Sequence, residues 1–245
     1  MPYGDRVTAG SVRPVVLRNG VEIEDPLRVV LEYVEARWAY DVSDPSGPTT
    51  FGEPDLRLAN RGGARISAAQ IAAILERRRA IDRALRAIAR DASLTGAAKT
   101  VPWLPLRQLF EEFADIPGVG FSKMTKSLHR KRPALIPILD SVVQKYLEKD
   151  DVGARAPFGE RALGLVRGYK RDLDRDRATV RAVRQDLAKR GYALSEVRIL
   201  DLLIWSAASA SLGLQGIQPP GSGSPIRRPK RSSSSGTVSG CISRP

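Results

Sequence analysis

Phe113-Ala114-Asp115-Ile116-Pro117-Gly118-Val119-Gly120-Phe121-Ser122-Lys123 is the stretch on which the reading of this chain turns. Leu106, Leu109, Phe110 and Phe113 lead into it at helical spacing, and a second helix leaves it from near Phe121. Two glycines two residues apart let the backbone reverse where a Cβ would clash, and they let N–H groups come close to an anion. The start of the second helix adds unpaired N–H groups and the positive end of its dipole, which together favour a phosphate. Val119 is placed to plug the groove between the two helices. Lys123, Lys126, Arg130, Lys131 and Arg132 follow with no acid before Asp140. A solvated basic helix after an ordinary turn would use the same residue types. The preceding helix, Pro117 and the uninterrupted basic run together favour a helix-hairpin-helix that grips a phosphate backbone. Its expected contacts are Pro117, Gly118, Val119, Gly120, Ser122, Lys123, Lys126, Arg130 and Lys131, with Lys145 on the following helix.

The overall charge points to the same class of partner. Forty Lys and Arg against 27 Asp and Glu leave +13 over 245 residues. Arg227, Arg228, Lys230, Arg231 and Arg244 are the only charged residues from Pro219 onward, so removing these five still leaves +8 on residues 1–218. A surface of that sign attracts polyanions by long-range steering and counterion release. The one cysteine, Cys241, excludes an intrachain disulfide framework, a Cys-ligated iron–sulfur cluster and a Cys-rich zinc site. The one histidine, His129, argues against His-pair metal sites and most His-based triads, so no metal centre is expected. The N-terminus lacks a signal peptide's apolar stretch, and no apolar run is long enough to cross a bilayer. The expectation is a cytoplasmic protein whose partner is DNA, double-stranded, and not a membrane.

Working outward, residues 15–23 read as a β-hairpin, with Asn19-Gly20 suited to a type I′ turn. Asp25-Pro26 opens a helix carrying Leu27, Val30, Leu31, Val34 and Trp38. Residues 41–65, rich in Gly, Pro, Asp and Ser, read as a loop. Ser67-x-x-Gln70 is a capping box for a helix expected to run to about Asp91. After the hairpin, Asp140 opens a helix with Val143, Tyr146 and Leu147. Polar helices follow over 159–169 and 175–190, and a last, apolar one starts at Ser195. The Pro-, Gly-, Ser- and Arg-rich residues 219–245 read as a disordered basic tail. The fold expected is mostly α, one helical domain over 1–218 with a small N-terminal β-hairpin.

Ile116-Pro117-Gly118-Val119-Gly120 resembles the hairpin signature of many DNA repair and recombination proteins. The longer stretch 116–147 is similar to the helix-hairpin-helix DNA base-excision glycosylases, in which an essential Asp heads the helix twenty residues after the hairpin's last Gly. Counting twenty from Gly120 reaches Asp140. The context Pro137 to Lys145 looks close to that of the adenine-mismatch glycosylases. Members that also cleave the strand carry Lys two residues after that Gly; here the residue is Ser122, as in monofunctional members. The resemblance implies a monovalent cation held by hairpin carbonyls. A second resemblance covers Phe51 to Trp205 and is to a bacterial domain family of unknown function. Its features are Phe51, Asp55-Leu56, Pro117-Gly118-Val119-Gly120, Lys131-Arg132-Pro133, Asp140 and Arg198-x-x-Asp201-x-x-x-Trp205.

Asp140 is the one candidate for catalysis. A carboxylate beside a sugar can stabilise an oxocarbenium-like charge and orient water. Asp is also among the best N-cap residues, and it heads a helix here. Asp172, Asp174 and Asp176 alternate with Arg and read as a solvated helix start, and Arg198 and Asp201 read as an i, i+3 pair. His129 could contact phosphate. Three functions are consistent with these residues: a DNA-binding module of glycosylase-like architecture, a monofunctional glycosylase using Asp140, and a protein-interaction module whose tail alone binds nucleic acid.

Overall fold

A two-stranded antiparallel ribbon, β1 (Val15–Val16) and β2 (Glu22–Ile23), pairs Val15 with Ile23 and Val16 with Glu22. Val15 and Ile23 face the core while Val16 and Glu22 face solvent, the alternation a strand imposes. The expected type I′ turn does not form. Only Gly20 is left-handed (φ 82°), Gly20 N donates to Leu17 O, and Leu17 N donates to Val21 O, both at 2.9 Å. Arg18-Asn19-Gly20 is thus a three-residue loop that ends on glycine, the second common hairpin closure. In this computed structural model the described residues are 12–37, 41 and 46–211. Trp38, Cys241 and the tail 219–245 lie outside them.

Among the described residues ten α-helices follow. Helix α1 (Pro26–Arg37) starts where Asp25 Oδ1 accepts Arg28 N at 2.9 Å. Helix α2 (Glu53–Arg61) lies inside the segment expected to be a loop. Asp55 Oδ2 accepts the Gly52 amide at 2.9 Å, Pro54 occupies the first turn, and Leu56 and Ala59 enter the core. Those capping residues are the same Gly, Pro and Asp that made the segment look irregular. The single helix expected from Ser67 to Asp91 is two, α3 (Ala68–Glu76) and α4 (Arg78–Arg86). The break falls at Arg77, whose guanidinium donates to Glu112 O (3.2 Å) and Ala114 O (2.6 Å) instead of pointing along the helix surface. Arg132 then braces the end of α4 by donating to the carbonyls of Leu85, in its last turn, and Ile88, just past it.

Helix α5 (Trp103–Glu111) leads into the hairpin and α6 (Phe121–Leu128) leaves it. Helices α7 (Ser141–Tyr146), α8 (Phe158–Arg175), α9 (Arg177–Lys189) and α10 (Glu196–Ser211) complete the order. Helix α8 lies along α5, and α10 packs against α1, α7 and α9. A Cβ on Gly159 would come within 2.6 Å of Arg107 O, so glycine there sets the close approach of α8 to α5. Helix α6 rests on α2, and α4 on α5. One apolar core joins the ribbon and helices through Leu17, Phe51, Phe110, Phe113, Met124 and Tyr169. No helix among the described residues is long and apolar enough to cross a membrane.

Candidate nucleic-acid interface

Ile116 O accepts Val119 N at 3.0 Å, with Pro117 second and Gly118 third at φ 71°. This is a type II β-turn, which wants Pro at its second position and a left-handed glycine at its third. Ile116 and Val119 are buried, anchoring the bend between α5 and α6, while Pro117, Gly118 and Gly120 are exposed. Val119 is therefore the plug expected of it and offers no surface to a ligand. Gly120 is the N-cap of α6 and no side chain caps that end, so a phosphate oxygen would find first-turn N–H groups without a side-chain acceptor.

The outer side of the bend is tied to α3. Gln70 Nε2 donates to Pro117 O at 3.0 Å, and Lys123 Nζ bridges Gly118 O (2.9 Å) and Gln70 Oε1 (2.8 Å). The same Gln70 closes the Ser67 capping box, accepting Ser67 N at 3.1 Å while Ser67 Oγ accepts Gln70 N at 3.3 Å. Two carbonyls of the bend are thus taken by an amide and by the chain's own ammonium.

The basic residues behind the hairpin do not form one surface. Ser122 and Lys123 are half-buried beside the exposed bend. Lys126 is 5% exposed. Burial pushes its ammonium below the ordinary lysine range, with the Asp140 carboxylate opposing that shift and Arg198 and Arg65 adding to it. Lys131 is drawn inside and pairs with Asp55 at 2.6 Å, and its ammonium also reaches Gly47 O. Arg130 is half-buried and lines a cavity of about 470 Å3 with Arg184 and Arg198. Lys145 is exposed and pairs with Glu148 at 2.5 Å. Lys131 is enclosed by its pairing with Asp55 and Lys126 is largely buried, so neither stands on the open surface beside the bend. Arg65, placed by the sequence in a loop, is exposed at φ 55° and lies within electrostatic range of Lys126. Its charge alone gave no signal of that placement.

Asp140 turns back on its own helix. Its Oδ1 accepts Val142 N and Val143 N, both at 3.1 Å, and the residue is 7% exposed. The N-cap accounts for an Asp at this position. The segment before it contains Pro133 and Pro137 and joins no helix or strand, so its polar backbone groups need side-chain partners. His129 Nδ1 meets Ile136 O at 2.6 Å, Asp201 Oδ2 accepts Ile138 N at 3.1 Å, Thr125 Oγ1 accepts Leu139 N at 3.0 Å, and Gln144 donates to Leu139 O at 2.8 Å. Since Ile136 O can only accept, Nδ1 carries the ring proton.

His129 is thus an internal strut rather than a phosphate contact. Burial and the charge of Arg198 hold its imidazole neutral, with its pKa lowered to about 3. Asp201 is equally buried and pushed up to about 8, chiefly by desolvation and also by Asp140, against the pull of Arg198. The expected Arg198–Asp201 pair is not made: Arg198 donates to Asp41 (2.9 Å) and to the Tyr33 hydroxyl (2.6 Å). Asp172 is likewise no helix-start solvate; it is buried and receives Arg18 at 2.7 Å and Arg175 at 2.9 Å. Aspartates and a histidine that face inward carry no mark in a sequence. The two prolines, which left a segment without regular partners, were the one available sign.

No curated protein and no solved structure matches the chain. A family model does, over residues 35–208, which takes in every helix from α2 to α9 and nearly all of α10. It includes the bend, α6 and the internally braced Asp140 segment, and by that match the chain belongs to a family of unknown function, DUF6308.

Proposed function

We propose that the protein binds the sugar-phosphate backbone of double-stranded DNA at the bend 116–120 and the first turn of α6. The observation that carries this reading is the exposed backbone of Pro117, Gly118 and Gly120 leading into a helix end that no side chain caps. Ser122 and Lys123 flank that end, and the net charge of +13 supplies long-range attraction. Contacts of this kind reach phosphates and carry no base information, so affinity falls with salt and varies little with sequence. Asp140 enters this reading as a helix cap.

Ser122→Glu tests it. Glutamate in the first turn suits the helix dipole, so α6 is retained while a phosphate is repelled. Affinity for a duplex, read by fluorescence anisotropy across a salt series, is expected to drop by about tenfold or more for unrelated sequences alike. A folded Ser122→Glu protein with unchanged affinity would remove the bend from the contact surface. Asp140→Asn, which keeps a good N-cap, is expected to bind as the parent does.

A further inference from the structure

Helix α4 carries Arg79, Arg83 and Arg86, all exposed. At 3.6 residues per turn these three fall within about 60° of one another, one ridge running about 10 Å along the helix. No carboxylate among the described residues pairs with any of them. Asp82, the nearest acid in sequence, belongs to Arg78 (3.8 Å) and accepts Phe51 N at 2.7 Å. Guanidinium groups stacked at i, i+4 and i+7 repel each other, so the ridge costs the helix stability. Arg83 and Arg86 lie in the last turn, where the dipole rewards a cation. Arg79 lies in the first turn, where it does not, and capping gives no account of it.

The ridge begins two residues beyond Arg77, the residue that fastens the α3–α4 junction to Ala114 O at 2.6 Å, just ahead of the bend. Gln70 on α3 holds the bend itself, and α4 packs along α5. The bend and the ridge are therefore carried by one braced unit. We propose that Arg79, Arg83 and Arg86 form a second contact to the backbone of the same nucleic acid. Long, flexible arginine side chains along about 10 Å of helix can each reach a separate phosphate of one strand. Arginine suits the role because its planar fork meets phosphate oxygens two at a time. The proposal rests on the phosphate-binding reading above and extends it to a second element.

The test is a variant with Arg79→Gln, Arg83→Gln and Arg86→Gln, in the full chain, titrated with a mixed-sequence duplex over a range of salt. Glutamine keeps helix propensity at exposed positions, and circular dichroism checks the fold. The plot of log affinity against log salt is expected to flatten by about 2 to 3 units, about 0.9 for each phosphate that the variant no longer neutralises. A companion triple Arg→Lys variant is expected to keep most of the slope, since the charge stays. The Gln variant is also made on the Ser122→Glu background, where its effect on the slope should persist if ridge and bend hold different phosphates. A folded Gln variant with the parental slope overturns the ridge, whatever Ser122→Glu does. A ridge effect that vanishes on the Ser122→Glu background overturns it as a separate contact. Failure of the bend shows elsewhere, in the Ser122→Glu single variant.

Discussion

Asp201 holds a proton at neutral pH because its carboxyl is sealed from water between Ile138 and Tyr169, with Asp140 nearby. Its Oδ2 accepts Ile138 N, and its buried Oδ1 meets no hydrogen-bond partner among the described residues, so neither oxygen is held by a cation. Because the folded pKa of about 8 exceeds the unfolded one, the folded state binds the extra proton, and stability falls as pH rises toward 8. His129 acts with the opposite sign: its folded pKa of about 3 means that stability is lost as pH falls below the ordinary histidine value. The two slopes oppose each other below about pH 6.5 and only that of Asp201 remains above it. Between about pH 6.5 and 8 the parent is expected to lose about 1 kcal/mol per pH unit relative to Asp201→Asn, whose carboxamide mimics the neutral acid. Parallel pH profiles of the two proteins in urea would refute a protonated Asp201. At the bend, Gly118→Ala places a Cβ 2.5 Å from Gln70 Nε2 at φ 71°. A loss of about 1–2 kcal/mol is expected from the left-handed backbone alone, measured by the denaturation midpoint.

At the scale of elements, the bend is held from outside by α3 and α2 rather than by α5 and α6 alone. Lys131, just past α6, reaches Asp55 on α2 with both side chains almost fully enclosed. Removing one partner of such a pair leaves a charge buried without compensation, which costs about 3–5 kcal/mol. Lys131→Met is expected to lower the unfolding free energy by that amount; a change under about 1 kcal/mol would show that Asp55 is satisfied without the ammonium. The capping box at Ser67 and the break at Arg77 have a common consequence. They set α3 at the angle at which Gln70 meets Pro117 O, and they start α4 beside α5. Sequence periodicity saw only the shared apolar face of α3 and α4, with Ile74, Ile81 and Leu85 buried throughout.

For the whole molecule, charge and placement make separable demands. The tail carries five of the thirteen excess positive charges, and the remaining eight belong to residues 1–218. If the tail alone bound nucleic acid, deleting residues 219–245 would abolish binding. The expected result is weaker binding that Ser122→Glu weakens further, because the bend keeps its own contacts. Abolition on truncation would return the hairpin to a protein-contact or purely structural role.

The residues alone determined the helical class, the ribbon near residue 20, the tight reversal at Pro117-Gly118 and the caps at Asp25, Ser67 and Asp140. Each of these follows from local chemistry: glycine's access to positive φ, proline's fixed φ, or a short oxygen-bearing side chain within reach of the next turn's amides. Which of the basic and acidic residues face water was decided only by tertiary structure. Lys131 turns inward to the Asp55 carboxylate, Arg132 to the carbonyls of Leu85 and Ile88, and His129 and Asp201 to a segment broken by Pro133 and Pro137, partners that no neighbour in the chain could supply. Charge is a property of a residue, whereas burial is a property of everything packed around it.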